Sequence, residues 1–310
     1  MSAFFSGIAR KAIHRIACDP AYRRWFFWLP DALMCRLAWF DQFGTRLDLR
    51  NPRGFNEKLQ WLMVHDVNPE HGRRADKVRA REWVAEKIGE EHLVPLLGVW
   101  RNADDVDFAS LPDRFVLKCN HNSGGGMYIC RDKSGMDVDA VREGLRRALK
   151  KNHYHEHRER VYKNIKPLVL AEKFLEDPST PDGGLVNYKF FCFSGTPKFL
   201  YVMTYAGSSA GKGHPKITIR DMDWNVMPFR LSGYESLPFD REKPAAFEEM
   251  VEIARRLSED ELFLRVDLYC VDGKVYFSEA TFYPTGGMGV FEPPEWEERI
   301  GSWLELPKAD

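Results

Sequence analysis

The stretch that most limits what this chain can fold into is residues 261–289, ELFLRVDLYCVDGKVYFSEATFYPTGGMG. Two runs of apolar, β-branched and aromatic residues flank Val271-Asp272-Gly273, which predicts a β-hairpin. Inside those runs stand Arg265, Asp267 and Glu279, charges at positions where a strand buries side chains. Charges are seldom buried without a partner. A three-residue loop over 271–273, with Gly273 in the left-handed region, sets Arg265 opposite Glu279 and Asp267 diagonal to it on one face. Leu264, Val266, Leu268 and Ala280 then line the other face. A two-residue Asp-Gly turn would put Asp267 and Glu279 on opposite faces, so the three-residue register is expected. The hairpin by itself leaves two readings even. One is Mg²⁺ held by the carboxylates and by substrate phosphates; the other is a surface salt bridge from Arg265 to Asp267 and Glu279.

Charge balance narrows the function. Over 310 residues, 45 Lys+Arg meet 46 Asp+Glu for a net charge of −1, which argues against nonspecific nucleic-acid binding as the main task. The length suits one large or two modest domains. The six cysteines show no CxxC pair, as expected of buried reduced thiols in a cytosolic protein. No apolar run is long enough to span a bilayer, and Arg10, Lys11, His14 and Arg15 interrupt any signal-peptide pattern. The aromatic segment 25–29, WFFWL, follows Arg23 and Arg24. It predicts an N-terminal helix packed on the body, with peripheral contact to a membrane surface as the alternative.

Taken in order, residues 2–50 predict two or three short helices, and residues 51–64 a turn followed by an amphipathic helix. A polar link over 65–74 precedes a helix over 75–88. There Lys77 falls in the first turn, where the helix dipole disfavours a cation, a hint of a ligand role. Residues 114–121 predict a strand carrying Lys118. An ammonium in an apolar run either snorkels out or meets an anion. Ser123, Gly124, Gly125 and Gly126 follow, then a short strand over 127–130. A lysine strand leading into glycines suits phosphate binding, because backbone N–H groups can approach the oxygens; an ordinary glycine hairpin is the alternative. Neither this run nor 207–213, expected as a mobile surface loop, has P-loop spacing.

Residues 137–152 predict a helix, and His153, His155 and His157 after it a polar helix end or basic surface rather than a metal site. Residues 166–177 predict a strand interrupted by Glu172 and Lys173. Residues 187–193 and 197–203 predict a hairpin containing Lys189, and residues 244–258 an amphipathic helix. Asp221-Met222-Asp223 resembles the Asp-x-Asp pair of sugar-nucleotide glycosyltransferases, but residues 105–107 and 137–139 match equally well. The loops over 204–215 and 285–290 are expected to shape an acceptor site.

This order of parts resembles the ATP-grasp superfamily. Nine segments in order, NPRGFNEKLQWL, ADKVRAREWV, LVPLLGVW, FVLKCNH, IKPLVLAEKFL, YKFFCFSGTPKF, DMDWN, RVDLY and EATFYP, resemble the TupA-like ATP-grasp group. That group is associated with teichuronopeptide and other surface-polysaccharide synthesis, including capsule. The resemblance covers about residues 51–293. It implies an α+β, ATP-grasp fold with two α+β subdomains clamping ATP. A helical region over 1–75 would precede an ATP-grasp domain over 76–310, with a nucleotide-clamp subdomain at about 76–180, a metal and substrate subdomain at about 181–293, and a C-terminal tail.

By position, the resemblance implies that Lys77 and Lys118 contact the ATP phosphates or adenine-side atoms and that Ser123, Gly124, Gly125 and Gly126 close over the phosphates. Glu172 and the backbone of Lys173, Phe174 and Leu175 would read the adenine edge, and Glu176 would reach the ribose. Lys189 and Arg265 would act at the transferred phosphoryl group, and Asp267 and Glu279 would hold Mg²⁺. Where many members carry a metal-binding Asn, this chain has Thr281, a weaker ligand. The implied activity is an ADP-forming, ATP- and Mg²⁺-dependent carboxylate–amine ligase acting through an acyl phosphate. Its substrates would be an amino acid or other amine and a carboxylated sugar or glycan precursor, in the cytoplasm or at the inner face of the membrane. The alternatives are a glycosyltransferase using Asp221 and Asp223, and a non-catalytic ATP-binding partner protein.

Overall fold

Alternation at period two in FVLKC sends Phe115, Leu117 and Cys119 to one side of a strand, and all three are buried. A computed structural model describes residues 11–122, 126–180, 184–205, 215–237 and 241–307. Its strands are β1 (Leu96–Trp100), β2 (Phe115–Cys119), β3 (Tyr128–Cys130), β4 (Val169–Lys173), β5 (Asn187–Phe193), β6 (Thr196–Thr204), β7 (Lys216–Asp221), β8 (Arg230–Leu231), β9 (Phe263–Val271), β10 (Lys274–Thr281) and β11 (Phe291–Glu292). They form a four-stranded sheet in the order β1-β4-β2-β3, a five-stranded sheet in the order β10-β9-β5-β6-β7, and the small pair β11-β8. Every pairing between these strands is antiparallel.

The smaller sheet packs Phe115, Leu117, Val169 and Ala171 against Val141 and Leu145 of helix Val138–Leu149. The Asp137 carboxylate caps that helix by accepting the Ala140 N–H at 2.9 Å. The larger sheet is covered on both faces, which is why β5 reads as an unbroken buried run, NYKFFCF. Phe190 meets Phe247 of helix Phe247–Ser258. On the opposite face, Phe191 and Phe193 meet Phe55 of helix Phe55–His65, whose ring also packs edge-on against Phe263 at 5.1 Å. Lys189 shares the Phe191 face by strand alternation, so the aromatic core ends on that face where the charged positions begin. Residues of helix Ala80–Ile88 belong to this larger core.

The structure corrects three expectations. Val271 pairs with Lys274, so the hairpin turns on Asp272-Gly273 alone, at φ 51° and 75°, the doubly left-handed turn that matches strand twist. A bulge between Phe277 and Glu279 then adds one residue to β10, so that Glu279 stands opposite Asp267 and Thr281 opposite Arg265. The carboxylates share a face through the bulge, not through a three-residue loop.

Second, residues 65–74 are not a simple link and Lys77 is not in a first helical turn. Helix Pro69–Ala75, capped by the Asn68 side chain, stops at Asp76. The Asp76 carboxylate accepts the N–H groups of Val78 at 2.9 Å and Arg79 at 3.3 Å, a local bond that competes with helix continuation. Lys77 therefore sits in a break before helix Ala80–Ile88. Third, the basic-surface reading of the histidine segment gives way to the polar helix end, with His155 and His157 in the last turn of helix Tyr154–His157. His153 is buried between Glu156 at 3.1 Å and Glu159 at 3.3 Å, and Arg158 is buried as well.

Segment 207–213 lies outside the described residues. Cys18, Cys35, Cys119, Cys130, Cys192 and Cys270 are all free thiols. Among the described residues no helix is long and apolar enough to cross a membrane.

Candidate active site

The register that joins β5, β9 and β10 gathers the charged residues. Lys189 pairs across strands with Asp267, and Arg265, two residues back on β9, points to the same face. Arg265 Nε and Nη2 donate to the two Asp267 carboxylate oxygens at 2.6 and 2.7 Å, and the Lys189 ammonium donates to Oδ2 as well. Asp267 is fully buried. Arg265 Nη2 also donates to Thr281 Oγ1 at 2.9 Å and lies 3.5 Å from Glu279 Oε1. The other Glu279 oxygen is 3.4 Å from Lys77 Nζ. Burial by itself raises the Glu279 pKa, but the fields of Lys77, Lys189 and Arg265 outweigh it and hold the carboxyl well below its ordinary range. Burial likewise opposes the Arg265 charge, and Asp267 and Glu279 more than restore it.

The smaller sheet supplies a second cluster. Lys118 Nζ donates to Glu172 Oε2 at 2.7 Å, and Arg81 Nη1 approaches Glu172 Oε1 at 3.3 Å while Nη2 donates to the Val94 carbonyl at 2.8 Å. Burial lowers the Lys118 pKa, but the fields of Glu172, Tyr269 and Glu279 raise it above its ordinary value, so the ammonium stays charged. Tyr269 and Glu279 belong to β9 and β10, so Lys118 looks from one sheet toward the other.

Beyond β4 the predicted adenine segment has several partners of its own. The Lys173 N–H donates to the Pro95 carbonyl at 2.9 Å. The Phe174 ring lies under the guanidinium groups of Arg114 and Arg131, 4.3 and 5.1 Å from its centre. Leu175 is half-buried. Glu176 pairs with Arg114 at 2.8 Å and Arg131 at 3.7 Å.

Ser123, Gly124 and Gly125 lie outside the described residues. Gly126 has φ 71°, and a Cβ there would come within 2.7 Å of the Ala148 Cβ, so both backbone and packing demand glycine. Just before the glycines, Lys77 Nζ donates to the Asn122 carbonyl at 2.9 Å.

Three residues of the site escaped sequence reasoning. Asn120 Nδ2 donates to Asp76 Oδ1 at 2.9 Å and to the Lys166 carbonyl at 3.1 Å, and Asn120 Oδ1 accepts the Leu168 N–H at 2.7 Å. Its carbonyl accepts the Lys77 N–H at 3.2 Å. Asn120 and Asp76 thus hold Lys77 beside the glycine run. The only hint was a polar pair at the end of a strand. Arg81 gave no signal, since an arginine on a helix ordinarily faces solvent.

A profile described as TupA-like ATPgrasp matches residues 57–305 of the chain. The chain belongs to the TupA-like ATP-grasp family. Curated protein sequences give no match. Among solved structures, it is similar to an L-amino acid ligase from Bacillus licheniformis, at 13% identity and TM-score 0.46, over 83% of this chain and 55% of that one. A D-alanine–D-alanine ligase from Bacillus anthracis complexed with ATP matches at 14% identity and TM-score 0.37, over 67% of this chain and 53% of that one. The ATP-grasp ligase PsnB, complexed with a minimal precursor, Mg and ADP, matches at 8% identity and TM-score 0.36, over 73% of this chain and 57% of that one. The chain therefore spans just over half the length of these structures.

In this ATP-grasp chain, Lys77, Arg81, Lys118, Lys189 and Arg265 are connected by ion pairs to only three carboxylates, Glu172, Asp267 and Glu279. Asp76, which helps to hold Lys77, is a fourth carboxylate, so among these described residues five cations less four anions leave a charge of +1. Asp221 accepts the N–H groups of Asp223 at 3.0 Å and Asn225 at 2.7 Å, which makes it a turn former. Among the described residues, His14, Cys18 and Asp41 bring metal-ligand atoms within 4.8 Å of one another. The 2.7 Å between His14 Nδ1 and Asp41 Oδ2 is a hydrogen bond, shorter than the roughly 3.3 Å that two bonds of ~2.0 Å impose at a tetrahedral ion.

Proposed function

We propose that the chain is an ADP-forming, ATP- and Mg²⁺-dependent carboxylate–amine ligase. The observation that carries this reading is the charge balance: a site whose cations outnumber its carboxylates, in which two carboxylates stand opposite each other on one sheet face. Such a site suits a polyphosphate accompanied by a hard cation. Lys118 and Lys77 are assigned to the phosphates, together with the glycine run 123–126. Glu172 and the segment from Lys173 to Glu176 are assigned to the adenosine.

The oxygens present fit Mg²⁺. Glu279 retains 27% side-chain exposure, and its cation contacts of 3.4 and 3.5 Å are at the long limit of hydrogen bonding, so its oxygens are accessible. Asp267 and the Thr281 hydroxyl adjoin it through Arg265. Glu279 would hold the ion, joined by Asp267 and Thr281 once Arg265 and Lys189 turn from them to the phosphates, and the ion would neutralise phosphate charge during transfer.

The reaction follows from what these groups stabilise. A substrate carboxylate oxygen bonds to the γ-phosphorus as the bond to the ADP oxygen breaks, giving an acyl phosphate. An amine nitrogen then bonds to the carbonyl carbon, loses a proton to the medium and expels inorganic phosphate. Arg265 and Lys189, fixed by Asp267, would stabilise charge on the transferred phosphoryl group and on the carbonyl oxygen. We assign the carboxylate to a uronate or other carboxylated glycan precursor and the amine to an amino acid, in cytoplasmic surface-polysaccharide synthesis such as capsule. That assignment rests on the family. The glycosyltransferase alternative is disfavoured because Asp221 is engaged in a turn. Calorimetric titration with a nonhydrolysable ATP analogue and Mg²⁺ tests the site, and Lys118→Ala should weaken binding at least about tenfold. Absence of binding by the wild type would sink the assignment.

A further inference from the structure

Helix Asp31–Phe43 buries Met34, Cys35 and Trp39 and turns Leu33, Arg36 and Phe40 outward. Their i, i+3, i+7 spacing puts these three on one face. The turn before the helix exposes Trp25, Phe27 and Trp28 by 67, 62 and 67%. With Tyr22, these account for six of the fourteen exposed large hydrophobic side chains among the described residues, a concentration unlike the scattered ones of an ordinary surface.

The turn is built rather than frayed. Arg158, buried and at φ 60°, donates from Nη2 to the Phe26 carbonyl at 2.8 Å and from Nη1 to the Phe27 carbonyl at 3.2 Å. Asp31 accepts the Tyr154 hydroxyl at 2.6 Å and lies 3.5 Å from Arg158 Nη1. Backbone strain and a buried guanidinium are thus used to hold aromatic rings out in solvent.

Charge decides what the face fits. Residues 11–53 carry eight Lys+Arg and four Asp+Glu, a net +4 in a chain whose net charge is −1. Lys11, Arg15, Arg36, Arg46, Arg50 and Arg53 are exposed, whereas Asp48 is the one exposed acid among the described side chains of that stretch. Exposed tryptophans with cations around them match a bilayer interface, where the rings sit at headgroup level and anionic lipid attracts the cations. A second copy of the chain would instead oppose two such positive faces.

We propose that the face formed by Trp25, Phe27, Trp28, Leu33, Arg36 and Phe40 docks on a membrane surface rich in anionic lipid, lying in the interface without crossing it. The segment that holds it also packs on the turn Pro284–Gly287: a Cβ on Gly286 would come within 3.2 Å of the His157 ring. Docking therefore fixes that turn relative to the bilayer.

The test is co-sedimentation of the full chain with vesicles of phosphatidylcholine alone or with phosphatidylglycerol added. Binding is expected on the anionic vesicles, weakening as salt rises. Trp25→Ala/Trp28→Ala should reduce it about tenfold or more, and Arg36→Ala should reduce it about fivefold. Trp28 and Arg36 are exposed, so Trp28→Ala and Arg36→Ala, each tested singly as well, should keep the wild-type melting temperature. No binding to anionic vesicles, or binding unchanged in the tryptophan variant, would overturn the proposal. So would a dimer in solution that the tryptophan variant dissolves, because a second copy would then cover the face. None of these readouts depends on ligase activity.

Discussion

Replacing Asp267 by asparagine preserves its shape and removes its charge, which makes it the most informative single perturbation of the site. Asp267 is fully buried, receives Arg265 Nε and Nη2 at 2.6 and 2.7 Å, and pairs with the Lys189 ammonium. Both cations are themselves largely buried, at 12 and 10% side-chain exposure. Removing one partner of a buried pair costs about 3–5 kcal/mol, because the remaining charge is left uncompensated. The asparagine oxygen still accepts one bond, so the lower end, about 3 kcal/mol, is expected. At about 2–3 °C per kcal/mol for a chain of this size, the melting temperature should fall by about 6–9 °C in calorimetry without nucleotide at pH 7. Glu279→Gln is the control. With 27% exposure and contacts of 3.4–3.5 Å, Glu279 should lower the melting temperature less than Asp267 does when each loses its charge. An unchanged melting temperature in Asp267→Asn, or equal shifts in the two variants, would refute the reasoning that Asp267 organises the cations and Glu279 is held loosely for a ligand.

Two further outcomes follow from the geometry. Lys118→Met leaves Glu172 with Arg81 as its cation, so the chain should remain folded by circular dichroism while affinity for an ATP analogue drops at least about tenfold by calorimetry. Away from the site, burial and the field of Glu57, opposed by hydrogen bonds from Asn56, push the Glu297 carboxyl up from 4.5 to about 7. Between those values the folded state keeps a proton that the unfolded chain releases, so stability falls as pH rises and levels off above about 7. Denaturation of wild type and Glu297→Gln across pH 4.5–7 should show a difference that changes by about 3 kcal/mol; a constant difference would contradict the assignment.

The hairpin shows what could be read from the chain and where the reading stopped. Its existence, and the shared face of Arg265, Asp267 and Glu279, followed from misplaced charges between apolar residues. The turn type did not, because a single bulge at Ser278 reverses the parity of every later position and leaves no compositional mark. Lys118 and Lys189 stood out because ammonium groups interrupt strands. Lys77 was read into a helix because the competition of the Asp76 carboxylate with helix continuation depends on Asn120, which is distant in sequence. Arg158 gives no sign in the sequence, because an arginine whose guanidinium binds the backbone carbonyls of residues 26 and 27 looks there like any other.

The central claim is that this site turns over ATP to join a carboxylate to an amine. Coupled ADP release by the purified chain, with Mg²⁺ and panels of amino acids and uronates, tests it most directly. Multiple-turnover ADP release should require both the carboxylate and the amine, and Glu279→Gln should abolish it at an unchanged fold. Turnover unaffected by Glu279→Gln, or binding of the ATP analogue with no ADP formed on any pair, would contradict it.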